Sequence, residues 1–161
     1  MKKTFLVLVI LAALLSSCRG NPSVDTVAHR LLALYDIPPS TTYVKHETEG
    51  EYGFISPEDF IGLYTGEKEK LPEWELIDDF RIVLSDTTEP FELHVIRVRS
   101  SSEVDEIAKL LRKRAAMISY HNKTEESFRI YEPTVFVRGN YVVLAVTPDN
   151  NAVKLMLKSL I

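Results

Sequence analysis

The chain has one cysteine, one tryptophan and no apolar run longer than the eleven residues of 5–15 in a length of 161. A single thiol excludes an internal disulfide framework and any multi-cysteine zinc or iron–sulfur site. A spanning helix needs ~20 apolar residues, so the run at 5–15 is too short to cross a bilayer. The four histidines (His29, His46, His94 and His121) have no i, i+4 pair among them, which excludes a helical zinc motif of the His-Glu-x-x-His kind. None of the six glycines forms a phosphate-cradling loop, and no Gly-x-Ser-x-Gly elbow is present. No cofactor is expected from these motifs. The net charge of −4 gives no global attraction to a polyanion, so nucleic acid is not an expected partner. What remains is ordinary globular material, 45% hydrophobic and 26% charged, in a length that suits one domain.

The amino terminus is the most specific stretch. Met1-Lys2-Lys3-Thr4 is basic, residues 5–15 are apolar, and Ser16-Ser17 lead into Cys18. This has the charge order and core length of an export signal. It resembles the lipobox of bacterial lipoproteins. That resemblance implies cleavage between Ser17 and Cys18, with the Cys18 thiol joined to diacylglycerol through a thioether. The residue types suit the chemistry: small side chains beside the scissile bond, and a thiol as the nucleophile. Two acyl chains give stable anchoring at ~0.8 kcal/mol per buried CH₂. The expected organisation is a signal peptide at 1–17, a lipidated tether at 18–23 and one domain at 24–161. Cleavage before Cys18 removes 17 of the 161 residues and leaves 144; losing Lys2 and Lys3 moves the charge from −4 to −6.

Behind the tether, periodicity sets the elements. Val27, Leu31 and Leu34 predict a helix over 26–35, stopped by Pro38-Pro39. Thr41 to Val44 favour extended backbone, but Glu47, Glu49 and Glu51 leave that segment without an apolar face, and it stays unassigned. Ser56 caps a short helix with Pro57 at its first position and Gly66 after its end. Strands are expected at 76–84 and 91–99. Next comes a helix capped by Ser102 with a stripe of Val104, Ile107, Ala108, Leu111, Ala115 and Ile118. A polar segment covers 120–127. Two β-rich runs, 134–137 and 141–146, are joined through Gly139-Asn140, a tight-hairpin signal. A last helix starts at Pro148-Asp149 and presents Val153, Met156, Leu157 and Leu160. The order strand, strand, helix, strand, strand, helix predicts an α+β domain, its antiparallel sheet built from two hairpins and its helices packed on one face.

Residues 93–98, the helix over 104–114 and the run 139–144, placed behind a lipobox, resemble a family of small lipoproteins of uncharacterised function from Gram-positive Firmicutes. The likeness covers about residues 55–161. It implies location at the cell envelope and supplies no catalytic residues. The segment between the middle helix and the hairpin is shorter here than in that family.

His46 with Glu47, Glu49 and Glu51 is the best cation candidate, since three carboxylates would share one face of an extended segment. No calcium-loop pattern accompanies it, and no metal is expected. Glu73 and Glu75 flank Trp74 as in a sugar subsite, although a glycosidase needs its two acids ~5–9.5 Å apart across the bond. Charge is uneven: residues 46–92 hold fourteen acids against Lys68, Lys70 and Arg81, while 97–138 hold nine basic residues against six acids. Lys109, Arg112, Lys113 and Arg114 lie mostly off the apolar stripe. They form the candidate partner surface, for anionic headgroups or an acidic envelope protein. The expectation is therefore a membrane-held, outward-facing, non-enzymatic binding or accessory module, anchored through Cys18. The rivals are an envelope hydrolase of wall glycan and a small solute-capture lipoprotein.

Overall fold

The computed structural model describes residues 21–67, 72–124 and 131–161, with 121–124 described by their helical backbone alone. Cys18 and the signal segment lie outside the described residues. The elements run α1 (Val24–Leu32), β1 (Ser40–Val44), α2 (Pro57–Thr65), α3 (Glu73–Leu76), β2 (Ile77–Ser85), β3 (Glu92–Val98), α4 (Val104–Thr124), β4 (Thr134–Arg138), β5 (Tyr141–Val146) and α5 (Asn150–Leu160). The fold is α+β. Its five strands form one open antiparallel sheet in the order β1-β2-β3-β5-β4.

The helices cover both faces of this sheet, which corrects the expectation of one. Leu93, Val95, Tyr141, Val143 and Ala145 pack with Val27, Leu31, Val153 and Leu157 of α1 and α5. Ile96, Val98, Val142, Leu144 and Val146 pack with Phe60, Ile61, Ile107 and Leu111 of α2 and α4. The physical reason lies in β5. Every one of its six residues is buried. A sheet with one wet face alternates apolar and polar residues, and β5 offers no polar position. At ~1.5–3 kcal/mol per buried aliphatic side chain, neither face can be left to water.

Local chemistry sets the boundaries. Ser23 caps α1, its Oγ accepting from the Thr26 amide at 3.1 Å, so the helix starts and ends earlier than 26–35. Ser56 Oγ accepts from the Asp59 amide at 3.1 Å, and Gly66 closes α2 at φ +77°. A 3₁₀ turn capped by Ser100, not Ser102, leads into α4, which continues to Thr124 through the start of the expected polar segment. The unassigned residues at 40–44 form edge strand β1, paired with β2 from Ser40↔Ser85 to Val44↔Arg81.

The β4–β5 connection is a two-residue turn with Arg138 opposite Tyr141. Gly139 has φ +57°, and no described non-glycine residue has positive φ, so Asn140 does not. That combination belongs to a type II′ turn with Gly first, not type I′. The Val98 amide donates to Asn140 O at 2.8 Å, and Asn140 Nδ2 donates to Val98 O at 3.0 Å, tying the turn to β3. Asn21 Nδ2 donates to Asn140 Oδ1 at 3.1 Å, and the Tyr141 hydroxyl donates to Pro22 O. The chain therefore enters the domain at this turn.

A side chain at Gly139 would meet both an unfavourable φ and Ile161 Cγ2, 3.4 Å from the Cβ position. Gly139→Val is expected to destabilise by about 1 kcal/mol or more, read as a lower midpoint in urea unfolding with an unchanged slope. An unchanged midpoint would contradict the turn assignment.

Candidate functional site

The densest polar chemistry is inside the molecule, on the α2/α4 face of β3. Glu92 and His94 occupy alternate positions of that strand, so both project to the same side as Ile96 and Val98. His94 is opposite Ile82 on β2 and Leu144 on β5, in the middle of the sheet. A polar residue there must be satisfied by whatever helix covers it. The cover is Tyr64, in the last turn of α2, whose Oη lies 2.8 Å from His94 Nδ1. His94 Nε2 lies 3.2 Å from Glu92 Oε2. From α4, Arg114 completes the set: Nη2 donates to Glu92 Oε1 at 2.6 Å and Nε to Oε2 at 3.1 Å. Tyr64, His94, Glu92 and Arg114 thus form one chain of hydrogen bonds linking α2, β3 and α4.

Protonation follows from the partners. Burial would raise the Glu92 carboxyl, but the hydrogen bond from His94 and the Arg114 guanidinium outweigh it and bring it from 4.5 down to about 2. An ionised carboxylate only accepts, so His94 carries its proton on Nε2. Burial lowers the imidazole below its usual 6.5, with Glu92 opposing, and the ring is neutral at neutral pH. Nδ1 is then an acceptor and the Tyr64 hydroxyl donates to it. Burial, and then the Glu92 charge, lift the Tyr64 hydroxyl well above 10.

The order hydroxyl, imidazole, carboxylate matches that of a nucleophile relay. Its surroundings do not. Tyr64 and His94 are both 0% exposed, and the raised Tyr64 hydroxyl holds its proton. A cleft of about 520 Å³ beside α2 reaches Arg114 and Leu63 but neither Tyr64 nor His94. Arg114 is committed there to Glu92. The arrangement is a sealed strut that fixes two helices on the sheet.

The other sequence candidates fall elsewhere. Lys109, Arg112 and Lys113 are exposed on α4, and Lys109 pairs with Glu106 at 2.8 Å. Arg114 departs from the expected outward cluster, because its side chain turns in to Glu92 and is only 23% exposed. His46, Glu47, Glu49 and Glu51 lie in the irregular loop after β1, not on one face of an extended segment. Among the described residues no group of three or more His, Cys, Asp or Glu is placed to hold a metal ion. Trp74 packs edge-on against Phe60 at 5.2 Å and Phe80 at 5.8 Å, with Lys45 Nζ 5.0 Å over its ring. Its indole is half-buried against the core. The side chain of His121 is outside the described residues.

Sequence reasoning passed over Glu92, His94 and Tyr64. A signal was present: a Glu and a His two apart, on the same parity as Ile96 and Val98, in a strand whose one other polar residue is Arg97.

Arg114→Met leaves Glu92 buried with half its partners, and is expected to cost about 2 kcal/mol, the scale of a hydrogen-bonded charge. The pH dependence has a definite sign. Glu92 is about 2 when folded and 4.5 as the free group, so its stabilisation is full above 4.5 and lost as pH falls through 2. His94, lowered from 6.5, acts in the same sense, costing stability as pH drops below that value. Urea midpoints should therefore fall on acidification, and Glu92→Gln should flatten the part of the slope below 4.5. An unchanged slope in that variant would contradict the assignment.

No known protein family, no curated protein and no solved structure matches this chain.

Proposed function

We propose that this protein is a lipid-anchored binding or accessory module of the cell envelope, held by Cys18 at the cell membrane and facing outside the cytoplasm. The reading is carried by one observation, the sequence Leu15-Ser16-Ser17-Cys18 behind a basic start and an eleven-residue apolar core. The fold is compatible with it. Among the described residues no helix is long and apolar enough to cross a membrane. The three residues from Cys18 to Asn21 give a leash of at most ~11 Å before the chain is pinned at the β4–β5 turn.

A non-enzymatic role is supported by where the reactive groups lie. The hydroxyl–imidazole–carboxylate set of Tyr64, His94 and Glu92 is sealed, and Trp74 packs against Phe60 and Phe80. The wall-glycan hydrolase reading would need Glu73 and Glu75 to act together. Glu75 is exposed, whereas Glu73 has an oxygen shut away without a hydrogen-bond partner. A solute-capture role lacks the second lobe that closes over a ligand.

Membrane fractionation and intact mass test the anchor. The native protein should be found in the membrane fraction, lack residues 1–17, carry a diacylglyceryl mass on Cys18 and be cut by protease added to intact cells. Cys18→Ala should be neither lipidated nor processed at this site. Full membrane retention of that variant at the native mass would contradict the proposal.

A further inference from the structure

A second feature acquires a use once the anchor is placed. Between edge strand β4 and α5 runs a groove of about 250 Å³, walled by Val137, Arg138, Lys154, Leu157 and Lys158 among others, with no acidic residue in its lining. Arg138, Lys154 and Lys158 are all exposed, and none has an ion-pair partner among the described residues. Val137, 46% exposed, adds an apolar edge between them. Three unpaired cations around an apolar floor match the chemistry of a phospholipid headgroup, phosphate outward and glycerol ester beneath.

Position selects the source of that phosphate. The chain enters at Asn21 and Pro22, hydrogen-bonded to Asn140 and Tyr141, beside Arg138. Ile161 Cγ2 lies 3.4 Å from the Cβ position of Gly139, so the carboxyl end of α5 reaches the same turn. Lys158 is three residues back from Ile161, and Lys154 one helical turn, ~5–6 Å, further. The leash from Cys18 spans at most ~11 Å, little more than a Debye length of ~8 Å at physiological salt. Lys109, Arg112 and Lys113, by contrast, are on α4, which packs on the opposite face of the sheet. The anchor therefore favours the β4–α5 edge over the α4 surface that the charge pattern alone suggests.

We infer that the groove between β4 and α5 binds anionic phospholipid headgroups of the bilayer that holds Cys18, so that this edge of the domain lies against the membrane. This rests on the proposed lipid anchor. Each cation near an anionic surface is worth roughly a fivefold gain in occupancy, and the contact weakens with salt.

The test is hydrogen–deuterium exchange of the purified full-chain lipoprotein in phosphatidylcholine vesicles and in vesicles of equal phosphatidylcholine and phosphatidylglycerol. Amides at 135–140 and 154–161 should exchange at least about fivefold more slowly on the anionic vesicles, the factor one cation supplies. The difference should vanish in Lys154→Gln/Lys158→Gln and survive in Lys109→Gln/Arg112→Gln/Lys113→Gln. Intact mass separates the two layers of the argument. A Cys18 without lipid overturns the anchor and this inference together. A lipidated protein with equal exchange on both vesicles, or with protection at 109–113 instead, overturns the headgroup site alone. Protection of β4 that ignores lipid charge would assign that edge to strand pairing between proteins, and also overturns it.

Discussion

The pairing of β3 with β5 is the constraint from which the rest of the fold follows. Leu93 to Ile96 and all of β5 are buried, so both faces of the central sheet must be kept from water. Among the described residues, two helices on one side and three on the other meet that demand. Edge strands β1 and β4 are half-buried or exposed along their length. The Tyr141 hydroxyl shows how closely the layers are tied to the chain's entry, since a central-strand residue holds the backbone at Pro22.

That same constraint makes Glu92 and His94 expensive. Two polar groups on a core face can persist only if every hydrogen-bonding position is answered, and Tyr64 and Arg114 answer them. The consequence reaches the surface. Arg114 is drawn out of a basic patch into the interior, which leaves Lys109 beside Glu106 and weakens α4 as an electrostatic surface. Among the described residues Arg138, Lys154 and Lys158, on the edge where the chain enters, have no ion pair, and neither do Arg112 and Lys113 on α4. Interior satisfaction and surface charge are thus one problem, solved by the choice of which arginine turns inward.

Much of the fold was legible because its signals are local. Ser56-Pro57 and Gly66 bracket α2, the Gly139-Asn140 pair sits at its turn, and the alternation of Phe80, Ile82 and Leu84 marks β2. The failures share a cause: partner choice across the sheet. β1 has no apolar face of its own, and its strand geometry comes from pairing with β2. Helices on both faces were foreshadowed by the unbroken apolar run 141–146, but a short buried strand and a buried helix segment look alike until neighbours are known. The site was the least legible part. Tyr64, Glu92, His94 and Arg114 come from three elements separated by up to fifty residues, and no spacing rule joins them. The proposed anchor at Cys18 is the opposite case, a reading that rests wholly on contiguous sequence.

The sealed, neutral imidazole is the claim on which the structural account turns, and nitrogen NMR of His94 measures it directly. The account predicts ¹⁵N shifts of a neutral ring protonated on Nε2, with Nδ1 as acceptor, at neutral pH, and any change of charge only below the ordinary histidine value of 6.5. Titration of His94 at or above its ordinary value of 6.5, or a proton resident on Nδ1, would contradict it.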